Sequence, residues 1–162
     1  MENKISDSSA EKHVEKLVAQ LLQEADPKGD RIEFLGRQFD LGLAWVQFDE
    51  GCGGLGVSPK LQSKVSLSLS RIDAPSCWPR NPIGYGMCGP TVFTHGSEDQ
   101  KRRYLRPLFT TEEIWCQLFS EPSAGSDVAG LTSRAIKDGD EWIVNGQKVW
   151  TSHANKCDWI FC

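Results

Sequence analysis

The chain has 162 residues, 39% hydrophobic and 25% charged, with six cysteines and a formal net charge of −4, and its pI is near 5.4. Such a composition is ordinary for a globular protein, and the length allows one full domain or one domain plus part of another. The acidic balance argues against a nucleic-acid footprint, which needs a basic face. No apolar run reaches the roughly 20 residues of a membrane-spanning helix, and MENKISDSSAEKHVEK has no apolar core of a secretory leader. The expectation is a cytoplasmic protein with reduced, partly packed thiols. Cys52, Cys77, Cys88, Cys116, Cys157 and Cys162 form no C-x-x-C pair, so no metal site is expected.

The first half reads as helices. Ser8 and Glu11 suit a capping box, followed by Val14, Leu17, Val18, Leu21 and Leu22 at helical spacing. DPKGD, residues 26–30, interrupts that pattern. A second helix is expected from Asp30, with Glu33 three residues on, to Gly42. Ser58 and Pro59 open a third, which carries Leu61, Val65 and Leu69. A short helix is predicted over 90–94 and closed by Gly96. Ser97 and Gln100 make another capping box, for a helix expected to stop before Pro107. Lys101, Arg102, Arg103 and Arg106 read as its solvated face.

After Thr111 the pattern changes. Ile114 to Phe119 is a short apolar run suited to a buried strand. Ala135-Ile136-Lys137 leads to a turn at Asp138-Gly139-Asp140. Glu141 to Val144 then reaches Asn145-Gly146, a strong hairpin signal, with Gln147 to Thr151 as the expected return strand. Asp158 to Cys162 begins another apolar and aromatic run. A strand that stops there has neither a partner nor a covered face, so a truncated chain is expected.

The stretch WCQLFSEPSAGSDVAGLTSRAIKDGDEWIVNGQKVWTS, residues 115–152, resembles the middle-domain signature of the acyl-CoA dehydrogenases. The matching pattern is an apolar strand, Ser/Thr-Glu-Pro-x-Ala-Gly-Ser-Asp, then Gly-Asp-x-Trp-x-x-Asn-Gly-x-Lys-x-Trp. GCGGLG at 51–56 and GPTVFTHGSEDQKRRYLRPLF at 89–109 resemble the same family's helical domain. The resemblance implies an α+β fold. An all-α domain over residues 1–112 would precede an incomplete, antiparallel, β-barrel-like middle domain over 113–162.

It also implies a flavin enzyme that α,β-dehydrogenates an acyl-CoA thioester, passing hydride to FAD. An electron-transfer flavoprotein would be the electron acceptor, and the complete protein would be a homo-oligomer. Under the resemblance Gln117, Leu118, Phe119, Ser120, Gly125, Ser126, Trp150, Thr151 and Ser152 face the cofactor. Ser120 would lie at the flavin's pyrimidine side and Ser152 near N5, both short hydroxyls at strand ends. Trp150 would pack on the ring, although a sheet-core aromatic is the blander reading. Ser126 would contact both FAD and the acyl-CoA, in a loop whose Gly125 allows the positive φ of an anion-binding nest.

No catalytic residue is expected within these residues. The family's base comes from a C-terminal helical domain, so the chain alone is expected to be inactive. Glu121 and Asp127 are read as loop-fixing groups. A non-catalytic scaffold or binding subunit is the alternative.

Overall fold

The computed structural model describes residues 7–162. Contacts divide the chain into a helical unit ending at Ile114 and a second unit, Trp115–Cys162. The helical unit contains α1 (Asp7–Glu24), α2 (Arg31–Asp40), α3 (Gln62–Ser70), α4 (Gly89–His95) and α5 (Glu98–Thr110). A 3₁₀ turn over Pro59–Leu61 leads into α3, and a π-helical turn over Gly84–Cys88 leads into α4.

The apolar spacing of α1 places Val14, Val18, Leu21 and Ala25 on one face, packed with Phe34, Leu43, Val46, Leu61, Val65 and Leu69. Leu22, expected on that face, is exposed, because one stripe cannot hold both Leu21 and its neighbour a third of a turn away. Ser8 lies inside α1 rather than capping it. Asp30 does cap α2, its carboxylate accepting from the Glu33 N–H at 2.8 Å. Ser58 precedes the 3₁₀ turn without a side-chain cap bond.

The Ser97–Gln100 capping box is complete in both directions. The helix it opens does not stop before Pro107 but runs to Thr110 with the proline inside. Proline removes one N–H from the ladder, but Leu105, Leu108 and Phe109 beyond and before it are buried, and their burial holds the last turn. Thr111, in the left-handed region at φ 63°, ends the helix. The basic residues of α5 are paired rather than simply solvated: Lys101 with Glu98, Arg102 with Asp99, Arg103 with Glu113 and Arg106 with Asp40.

Aromatic rings fill the other side of the unit. Trp45 stacks on Phe48 at 5.0 Å and on Tyr85 at 5.2 Å, and meets Phe109 edge-on at 5.3 Å. The glycine-rich turn at 51–56 belongs to this packing. A Cβ on Gly54 would run into the carbonyls of Trp45 and Phe48, so only glycine lets the two backbones approach.

Asn81 is fully buried. Its Nδ2 donates to the carbonyls of Leu108 at 2.9 Å and Glu113 at 3.1 Å, beyond the proline of α5. Asn81→Leu keeps the branched shape and removes both donors, and is expected to cost about 1–3 kcal/mol. Urea denaturation followed by tryptophan fluorescence checks this; an unchanged midpoint would mean that the two carbonyls find other donors.

The second unit holds four strands: β1 (Trp115–Gln117), β2 (Arg134–Asp138), β3 (Glu141–Asn145) and β4 (Trp159–Phe161). They form two small two-stranded sheets, not a closed barrel. The antiparallel expectation holds for β2 and β3 only. β1 pairs with β4 in parallel, Trp115 opposite Trp159 and Gln117 opposite Phe161. Parallel pairing needs a long crossover, which residues 118–158 provide.

Of the two turns expected here, the one at Asp138-Gly139-Asp140 is present and the one at Asn145-Gly146 is not. β2 and β3 pair from Arg134↔Asn145 to Asp138↔Glu141, so the chain reverses at Gly139-Asp140, where Gly139 supplies the positive φ (62°) that such short loops need. Asn145-Gly146 is no hairpin. Asn145 is already opposite Arg134 and has no positive φ, whereas a type I′ turn needs one at both central residues. Residues 147–151 are accordingly not a β-strand.

Candidate functional site

The motif residues of the second unit lie on two backbone segments that run together. The first leaves β1. The Leu118 N–H donates to the Phe161 carbonyl at 2.8 Å and so prolongs the β1–β4 pairing by one residue. Phe119 packs its ring 5.7 Å from that of Phe161. The second segment is 147–152. The Val149 N–H donates to the Ser120 carbonyl at 2.9 Å, and Lys148 Nζ donates to the Phe119 carbonyl at 2.9 Å.

Glu121 is the hub between them. Its side chain accepts from the Thr132 N–H and hydroxyl, both at 2.7 Å, from the Ser133 N–H at 2.9 Å and from Lys148 Nζ at 2.9 Å. The residue is 4% exposed. Donation from Ser133, then Lys148, then Thr132, holds its carboxyl far below the usual carboxylate range. A carboxylate so committed is a fixed anion that ties the loop, as the sequence reading had it, and not a proton acceptor.

The loop after Glu121 is not an open nest. The Glu121 N–H donates to the Ala124 carbonyl at 2.8 Å, and the Ala124 N–H returns to the Glu121 carbonyl at 3.1 Å. Gly125 takes no positive φ. The N–H groups of Glu121 and Ala124 are thus used within the turn. Ser126 follows, exposed, its carbonyl accepting from Val128 at 3.1 Å. Of Asp127, the carbonyl accepts from the Gly130 N–H at 3.1 Å.

A cavity of about 220 Å³ opens among Leu118, Phe119, Gly125, Val128, Leu131 and Lys148. It brings together three of the expected cofactor residues: Leu118, Phe119 and Gly125. Gln117, Ser120, Ser126, Trp150, Thr151 and Ser152 do not line it. Ser120 is joined to the 147–152 segment through its carbonyl. Trp150 is 90% exposed and sits in the left-handed region at φ 60°, a conformation that costs a bulky residue energy and that is met disproportionately at functional sites. It is therefore not the sheet-core aromatic of the blander reading. Thr151 begins a turn closed by the Ala154 N–H at 3.4 Å, and Ser152 lies exposed within it.

Two side-chain oxygens of the expected set, Gln117 Oε1 and Thr151 Oγ1, are buried without a hydrogen-bond partner among the described residues. Such groups cost free energy unless a ligand or water satisfies them. One is an acceptor and the other can donate or accept. A flavin's pyrimidine edge carries both an N–H and carbonyl oxygens, so the residues present suit that group.

Lys148, Val128 and Leu131 were not singled out by sequence reasoning. Lys148 stands in the Asn-Gly-x-Lys-x-Trp pattern, which was a sufficient signal; the two apolar residues carry none beyond their position after the loop. Among the described residues no helix is long and apolar enough to cross a membrane.

Comparison with known proteins bears on the whole chain. Residues 2–112 match the acyl-CoA dehydrogenase N-terminal domain and residues 116–162 the acyl-CoA dehydrogenase middle domain. The chain belongs to the acyl-CoA dehydrogenase family. It is 41% identical over 120 residues to the acyl-CoA dehydrogenase IpdE1 of Mycobacterium tuberculosis, covering 74% of this chain and 31% of that protein. It is 37% identical over 117 residues to a (2S)-methylsuccinyl-CoA dehydrogenase of Cereibacter sphaeroides, covering 71% of this chain and 21% of that one. Among solved structures, a variant of the Tcur3481-Tcur3483 steroid ACAD aligns over 91% of this chain and 42% of its own, at 29% identity and a TM-score of 0.59. The chain thus spans about a third or less of these curated relatives.

Proposed function

We propose that the second unit forms the flavin-facing part of an enzyme that α,β-dehydrogenates an acyl-CoA thioester. The observation that carries this reading is the pair of buried, unpartnered oxygens on Gln117 and Thr151, at the two ends of the segments that Lys148 and Ser120 hold side by side. FAD, when bound, supplies the acceptor for the hydride leaving the β-carbon. Gln117 Oε1 would accept from the flavin's ring N–H, and the hydroxyls of Thr151, Ser120 and Ser152 would donate to its acceptor atoms. Leu118, Phe119 and Gly125 exclude water beside the ring, and exposed Trp150 covers it. Ser126 gives its hydroxyl to the phosphate of FAD or to the acyl-CoA.

Glu121 is committed to its four donors, so the proton at the α-carbon would go to another carboxylate. The residues up to about 112 act as the helical domain and those from 113 as the cofactor side. An electron-transfer flavoprotein re-oxidises the enzyme, and the working form is a homo-oligomer.

Trp150→Ala tests the cofactor side. An aromatic stacking contact contributes about 0.5–1.5 kcal/mol beyond the area it buries, so flavin retention should weaken about two- to tenfold. Flavin absorbance after gel filtration reads this. Equal occupancy and an unchanged visible spectrum would remove Trp150 from the site. A dye-reduction assay of the whole protein with a panel of acyl-CoAs tests the activity; flavin bound without reduction by any thioester would favour a non-catalytic scaffold.

A further inference from the structure

We infer that Cys116 and Cys157 form an oxidisable dithiol, a modification site whose reagent is a hydroperoxide. Their sulfurs lie 3.0 Å apart, either able to donate to the other, and both are free thiols. A disulfide needs the sulfurs at about 2.05 Å, a further approach of about 1 Å. The contact joins residues far apart in the sequence: Cys116 is the middle residue of β1, and Cys157 follows the turn over 152–156, two residues before β4.

The two thiols are unequal in a way that sets the order of events. Cys157 is half-buried, whereas Cys116 is completely buried. Burial first, and then the contact with Cys157, pushes the Cys116 thiol up to about 11, so it is not the sulfur that meets a reagent from solvent. Cys157 attacks the hydroperoxide: an S–O bond forms, the O–O bond breaks, and an alcohol or water leaves. The product is a sulfenic acid. Cys116 then attacks the Cys157 sulfur: the S–S bond forms, the S–O bond breaks, and water leaves with the Cys116 proton. Two thiols lose two electrons and one hydroperoxide gains them. The contact geometry makes the second step intramolecular, which compensates for the low thiolate fraction of Cys116. Cys77 provides the contrast. Burial raises it to about 12, and its sulfur faces the Leu108 carbonyl rather than another thiol.

The test treats the purified protein with hydrogen peroxide, alkylates the remaining thiols and maps linked peptides by mass spectrometry without reduction. The expected result is a Cys116–Cys157 linkage that dithiothreitol reverses. In Cys116→Ser, dimedone should trap a sulfenic acid at Cys157 and the linkage should be absent. In Cys157→Ser, Cys116 should remain reduced under the same dose. Recovery of both cysteines alkylated in the unsubstituted protein, at a dose that oxidises its other thiols, overturns the inference. The mapping needs no substitution, so a variant that misfolds does not blunt it.

Discussion

Glu121→Ala is expected to abolish the cooperative melting of the second unit and, with it, retention of flavin. Four donors converge on this carboxylate, from Thr132 twice, Ser133 and Lys148. Alanine leaves each of them without its acceptor inside a nearly dry site, the circumstance in which a lost hydrogen bond is most expensive. The Lys148 ammonium would also lose its counter-ion, and with it the reason to stay against the Phe119 carbonyl.

The same geometry gives a pH dependence with a definite sign. The folded-state carboxyl titrates below its unfolded value. Its contribution is therefore fully present above the unfolded pKa, about 4.3 for glutamate, and is lost as pH falls towards the lowered folded value. The unit should begin to loosen below about pH 4. Glu121→Gln should remove that part of the acid sensitivity while lowering stability at neutral pH. Near-ultraviolet circular dichroism against pH checks both. An acid transition identical in the substituted and unsubstituted proteins would show that Glu121 is not the group responsible.

In the helical unit the largest single loss is expected from Phe34→Ala. Phe34 is 0% exposed and belongs to the cluster that joins α1, α2 and α3. Removing a ring from a core costs about 3–5 kcal/mol, because the cavity adds to the lost transfer energy. With a urea dependence of about 1–3 kcal/mol per molar, the midpoint should move by something on the order of 2 M. A shift well under that would mean that Val14, Leu21 and Val65 collapse into the space.

The helical unit was legible because its signals are local. The capping box at Ser97, the cap at Asp30 and the 3.6-residue spacing of Val14, Val18 and Leu21 each act within a few residues. The exceptions arose where tertiary burial overrode a local rule, as at Pro107. The second unit was legible in strand position but not in pairing. Trp115 and Trp159 carry no sign of each other in the sequence, and of the two turn signals flanking β3 only Gly139-Asp140 turns the chain, Asn145 being still paired with Arg134. At the candidate site the motif named the polar and aromatic residues. It did not reveal that Glu121 and Lys148 hold them, since a hydrogen-bond network is a property of the folded loop and not of any spacing.

The parallel pairing of β1 with β4 also orders events during synthesis. Helices such as α1 and α5 draw on contacts close in sequence and can settle as soon as their residues emerge. Trp115 must wait until Trp159 has been made, with the entropy of closing that long loop lost before any pairing is gained. In that interval the apolar face of β1 is open to any passing strand edge. The second unit should therefore be the slow and chaperone-dependent step in producing this protein. Pulse-labelled limited proteolysis would show it, with the helical unit resistant while residues after Ile114 are still being cut; simultaneous protection of both units would argue against such an order.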